Sequence, residues 1–144
     1  MMKQTDSTLA SVRGWGCYLC TLAYIAGVRD IGVVDRAFSR LVSAGMILDN
    51  QVPTSKGGWY RSFVLKPGAV IEQLASDMGR RVFAKELSRH TTNPEPSNRV
   101  PGFFVIKEVP GHFGLIWPEI YNPDPRYPLS PPGVSYRVWA VGDL

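Results

Sequence analysis

The sequence predicts an α+β fold, with N-terminal helices packed on a C-terminal antiparallel β-sheet. Three observations carry this. Apolar residues recur three and four apart in two stretches of the first half, up to Ala44. Beyond Pro101 the chain becomes a series of β-branched and aromatic runs broken by Pro- and Gly-rich turns. Helical and strand patterns follow one another instead of alternating, which argues against a doubly wound parallel sheet. At 144 residues the chain is expected to form one domain over 1–144, with residues 1–12 as a loosely ordered N-terminal arm.

The first predicted helix runs from Cys17 to Val28, with Leu19, Cys20, Ala23 and Tyr24 on an apolar face and Gly27 as terminator. A second, from about Val33 to Ala44, turns Phe38, Leu41 and Val42 inward and Asp35, Arg36 and Arg40 outward, and stops at Gly45. Asn50, Pro53 and Gly57-Gly58 are read as turns around one short strand near Trp59 to Leu65. Pro67 opens a third helix, from about Gly68 to Met78, ended by Gly79. VFAKEL is consistent with either a strand or a helix end. Strands are then expected at Gly102–Val109, His112–Trp117, Glu119–Asn122 and Ser135–Val141. The clusters NPEPSNRVPG and WPEIYNPDPRYPLSPPG read as stiff loops.

Composition narrows the function classes. A content of 44% hydrophobic and 19% charged residues excludes a largely disordered chain. The net charge of +4 suits an anionic partner only if the basic residues cluster, yet they are spread along the chain, with Arg80, Arg81 and Lys85 the densest group. Nucleic acid is therefore not the expected partner. No run approaches membrane-span length and none near the N-terminus has signal-peptide character, so a cytoplasmic protein is expected. Two cysteines three residues apart make a poor disulfide framework.

Those cysteines lie in GWGCYLCTLAYIAG, Gly14 to Gly27. Cys17 stands at a predicted helix start, where unpaired N–H groups and the helix dipole favour the nucleophilic thiolate. Gly14 and Gly16 let backbone or substrate approach it closely. The plainer reading is a small buried hydrophobe. A nucleophilic cysteine needs a base, and the chain has only His90 and His112. His90 falls in a polar segment before a turn cluster. His112 follows Pro110-Gly111 and opens an apolar strand, which makes it the better candidate. If the chain turns at Pro118 and returns, Asp124 comes about opposite His112 and Asn122 lies one diagonal step away. Either side chain is then placed to hold the imidazole, unless NPDP is merely a turn.

The order of Cys at a helix start, His at a strand start and Asn or Asp just beyond resembles the papain-like cysteine peptidases. GWGCYLCTLAYIAG, GHFGLIW, YNPDP and SYRVW look like compact bacterial and phage-borne members, including relatives of the double-glycine leader peptidases. The resemblance implies hydrolysis of peptide or cell-wall amide bonds by Cys17, with His112 as base and Asn122 or Asp124 as its orienter. It implies no metal and no cofactor, and a peptide, protein or peptidoglycan substrate. That family usually has a glutamine about six residues before the cysteine. Here Ser11, Val12 and Arg13 occupy that stretch, and the only upstream glutamine is Gln4, thirteen positions away. Arg13 is then the candidate oxyanion donor, with Gly16 and Trp15 as neighbouring substrate contacts. By helix position Cys20, one turn along from Cys17 and toward Ala23 and Tyr24, is expected to be buried, reduced and inert, and Cys17 accessible and acidic.

Three other readings compete. Cys17-Tyr-Leu-Cys20 has the CxxC spacing of disulfide oxidoreductases but lacks the apolar strand that should precede it. A zinc site from both cysteines and both histidines would need histidines closer than these. A catalytically inactive fold used as a protein-binding module is the strongest alternative, with Trp15, Trp59, Trp117 and Trp139 as possible groove residues. Core packing is the expectation for Trp117 and Trp139, and surface exposure for Trp59.

Overall fold

The computed structural model describes residues 1–54, 57–94 and 100–144, with side chains throughout these except at 50–62. It is α+β, with helices leading and an antiparallel sheet closing the chain. After a 3-10 turn at Gln4–Asp6 come α1 (Ala10–Trp15), α2 (Cys17–Ile25) and α3 (Ile31–Ser43). A two-stranded sheet of β1 (Ile47–Thr54) and β2 (Gly57–Val64) follows, then α4 (Pro67–Asp77). The strands β3 (Val82–His90), β4 (Phe103–Val109), β5 (His112–Trp117) and β6 (Ser135–Asp143) form a sheet in the order β3-β6-β4-β5. All its pairings are antiparallel, and the last strand is inserted between β3 and β4.

α2 is the centre of the core. Every residue from Leu19 to Ile25 is buried, so it has no polar face, and it packs on α4 and β5. α4 covers β3 with Val70, Ile71, Leu74 and Ala75, and the sheet answers with Ala84, Ile106, Leu115 and Trp139. Fully burying side chains of this size stabilises by roughly 1.5–3 kcal/mol each. α3 is amphipathic as its spacing predicts, with Val34, Ala37, Phe38 and Leu41 inward, and Asp30 caps it by accepting the Gly32 N–H at 2.9 Å.

Several expectations need correction. α1 was not foreseen, because the mixed stretch Ala10–Trp15 shows no helical period and a glycine interrupts it. Asn50 and Pro53 fall inside β1, not in turns; a strand of a two-stranded sheet has an open edge that spares proline the missing N–H. VFAKEL belongs to β3. Glu119–Asn122 is no strand: only Tyr121 bridges to Leu115, because prolines at 118, 123 and 125 remove the N–H donors a ladder needs. Trp139 is buried and Trp117 half-buried, while the Trp59 side chain lies outside the described residues, as do the residues at the centre of NPEPSNRVPG.

The first twelve residues, read from sequence as a loose arm, bury Met2, Gln4, Ser7, Ser11 and Val12. Hydrogen bonds hold them. The Tyr121 hydroxyl donates to the Met2 carbonyl at 2.8 Å, the Gln4 N–H to the Pro123 carbonyl at 2.9 Å, and Ser7 and Thr8 donate to the Asp35 carboxylate.

Gly16 joins α1 to α2. Its N–H closes the last turn of α1 on the Val12 carbonyl, and its own carbonyl receives the Cys20 N–H at 2.8 Å. A methyl group there would overlap the Val12 carbonyl oxygen, whereas one at Gly14 would meet nothing within 4 Å. Gly16→Ala should therefore lower stability by about 1–3 kcal/mol. Gly14→Ala, at an exposed helical position, should be neutral or raise it by up to ~1 kcal/mol. Urea midpoints of the two variants check this pair, and equal midpoints would contradict the steric account.

Candidate functional site

The junction at Gly16 delivers Cys17 to the first position of α2, beside β5. The Thr21 hydroxyl donates to the Cys17 carbonyl at 2.7 Å, which secures the first turn. The thiol is mostly buried, and burial pushes its pKa above the ordinary value. The N–H groups of Phe113, Tyr18 and Cys17 itself oppose that rise, and the charge of Asp124 adds to it. Burial wins, so the expected acidic thiol is not what this cleft holds. Cys17 rests as a thiol surrounded by donors suited to a thiolate.

His112 opens β5 directly after the β4–β5 hairpin. Pro110 and Gly111 form the loop, with Gly111 at φ +72°, as a type II turn requires of its third residue. The imidazole is 3% exposed, and its Nε2 lies 2.7 Å from Asn122 Oδ1. Two further contacts fix which end of the Asn122 amide is which. Nδ2 donates to the Tyr127 carbonyl at 2.8 Å, and Oδ1 accepts the Asp124 N–H at 3.1 Å. Oδ1 can only accept, so His112 Nε2 carries a proton in this contact.

Asn122, not Asp124, is thus the partner of His112. The Leu115–Tyr121 bridge keeps the register anticipated from sequence, but no ladder continues from it among the described residues. The Asp124 carboxylate, 2% exposed, is taken by Arg126 instead, through Nε at 2.9 Å, Nη2 at 2.8 Å and the backbone N–H at 3.2 Å. The Arg126 guanidinium holds the Asp124 carboxyl below its ordinary pKa against the effect of burial.

Cys17, His112, Asp124, Arg126 and Tyr127 line one cleft of about 260 Å³, together with Gln4, Gly14, Trp15 and Gly111. Gln4 is the member that sequence reasoning passed over. It is 3% exposed, its Nε2 donates to the Arg13 carbonyl at 3.1 Å, and its Oε1 has no hydrogen-bond partner among the described residues. The second Nε2 proton has no hydrogen-bond partner among the described residues. Leaving a buried amide oxygen unpaired costs about 1–3 kcal/mol, which core packing alone would not favour. Arg13 does not take this place: it is an exposed residue whose Nη1 donates to the Ser7 carbonyl at 3.0 Å. Trp15 is 42% exposed at the cleft wall, and Gly16 is buried behind it.

The remaining candidates lie elsewhere. Cys20 is completely buried, its pKa pushed far up by burial, and both cysteines are free thiols. His90 sits exposed at the end of β3, its Nε2 2.8 Å from Ser88 Oγ. Among the described residues no group of three or more His, Cys, Asp and Glu side chains is placed to hold a metal, and no helix is long and apolar enough to cross a membrane. Comparison with protein-family models, curated proteins and solved structures returns no match.

A thiol pKa above the ordinary value fixes the expected reactivity. Alkylation follows the thiolate fraction, which grows until pH passes the pKa. Iodoacetamide labelling of Cys17 should therefore be slow at pH 6 and still be rising at pH 9, with Cys20 unlabelled throughout. Peptide mapping by mass spectrometry reads both sites; a rate that levels off below pH 7 would contradict the effect of burial described above.

Proposed function

We propose that the chain is a papain-like cysteine hydrolase of amide bonds in a peptide, protein or peptidoglycan substrate. The observation that carries this reading is the 2.7 Å contact of His112 with Asn122 in the cleft that also contains Cys17. Asn122 fixes the tautomer, and His112 Nδ1 takes the Cys17 proton as the sulfur attacks the amide carbon. The negative charge that develops on the carbonyl oxygen is met by the Gln4 carboxamide and the Cys17 backbone N–H. Collapse breaks the C–N bond, and His112 returns the proton to the departing amine. Water, deprotonated by the same nitrogen, then cleaves the thioester and restores the thiol.

Because the resting sulfur is protonated, proton transfer accompanies attack. The N–H groups that face the sulfur lower the cost of forming the thiolate at that moment. The raised thiol is also what a cleft retained only for binding would show, so turnover is the deciding measurement. A mixture of synthetic peptides and purified peptidoglycan stem peptides, followed by mass spectrometry, should show amide cleavage that Cys17→Ala abolishes. Gln4→Ala should slow the chemical step by ~10²–10³-fold with little change in binding. Cleavage that survives Cys17→Ala, or partner binding with no cleavage at all, would reject the hydrolase in favour of the binding module.

A further inference from the structure

Arg126 is 63% exposed at its side chain, whereas the carboxylate it grips is 2% exposed. An ion pair with one end in solvent adds little stability, yet a buried carboxylate is committed to it through three N–H contacts. What such a pairing accomplishes is aim. Asp124 engages Nε and Nη2, so the guanidinium plane is fixed and Nη1, with the second Nη2 proton, has no hydrogen-bond partner among the described residues. The Tyr127 ring, 5.7 Å from the guanidinium carbon and 5.9 Å from the His112 ring, stands beside both. Arg126 lines the same cleft as Cys17 and His112.

We propose that Arg126, aimed by Asp124, is the substrate-anion site of this cleft, and that the substrates are acyl or peptidyl compounds with a carboxylate next to the amide that is attacked. This rests on the reading of Cys17 as the reacting thiol. The cleft, at about 260 Å³, is smaller than sites of about 300–1,000 Å³ that enclose drug-sized ligands. A carbonyl carbon at Cys17 therefore keeps its neighbouring groups within the reach of one side chain. A planar fork with free N–H donors matches a carboxylate in two-point geometry, which a lysine would not. The charges of Asp124 and Arg126 cancel at a distance, so recognition comes from the directed donors and not from a broad positive field. The other titratable groups lining the cleft are Cys17, His112 and Tyr127.

Two alkylating reagents of nearly equal shape test the site without any known substrate. Iodoacetate carries a carboxylate where iodoacetamide carries an amide. The ratio of their rates at Cys17, measured at low salt and pH 8.5 (about the ordinary thiol pKa) on the full chain, should fall on the order of tenfold in Arg126→Gln. Asp124→Asn should lower the ratio as well, although it makes the cleft more positive, because the guanidinium loses its aim. A ratio in Arg126→Gln within about twofold of the parent chain, or one that rises in Asp124→Asn, overturns the proposal. Should Cys17 prove inert to both reagents, the hydrolase reading fails, and a second measurement still decides the anion site. Amide NMR shifts of Gly111, His112 and Tyr127 should respond to N-acetylglutamate, respond more weakly to N-acetylglutamine, and lose that difference in Arg126→Gln. Equal responses to the two compounds in the parent chain overturn the anion site.

Discussion

The architecture depends on the burial of α2 from Leu19 to Ile25. A helix with no polar face must be enclosed, and this one is enclosed by α4 on one side and β5 on another. That enclosure has a geometric consequence at its N-terminus. The first turn of α2 and the first residues of β5 end at the same edge of the core, so Cys17 meets the Phe113 N–H and shares a cleft with His112. The thiol and the imidazole are thus brought to one cleft by packing.

A second constraint acts from outside the core. The N-terminal segment and the loop after β5 hold one another, through Met2 with Tyr121 and Gln4 with Pro123. Tyr121 also stacks on Tyr24 of α2, with ring centroids 4.2 Å apart and planes within 6°. The loop therefore rests on the same helix that carries Cys17. Within six residues it supplies Asn122 to His112, Asp124 to Arg126, and Tyr127 beside the imidazole. Its prolines keep it out of the sheet, and side-chain amide and carboxylate bonds replace the missing ladder.

The electrostatics of the cleft are divided between two neighbours with opposite tasks. Asn122 is neutral and holds His112 by a hydrogen bond, beside a buried thiol whose pKa lies above the ordinary range. Asp124 is charged, and its charge is neutralised by Arg126.

The sequence by itself determined the order of helices and sheet, because apolar period and turn chemistry are local properties. Leu19, Ala23 and Tyr24 at helical spacing, and β-branched residues between Pro-Gly breaks, specify their elements wherever the chain then goes. It also singled out Cys17 and His112, one at a helix start and one after a turn, from residue type and placement. Tertiary structure alone decided the rest. The choice of Asn122 over Asp124 depended on Arg126 claiming the carboxylate, a competition between side chains that strand alternation does not reveal. Gln4 was concealed by thirteen residues of separation, which α1 folds back into contact. The thiol pKa followed from how much solvent the packed cleft excludes, and desolvation is a property of the whole enclosure, which no stretch of sequence carries.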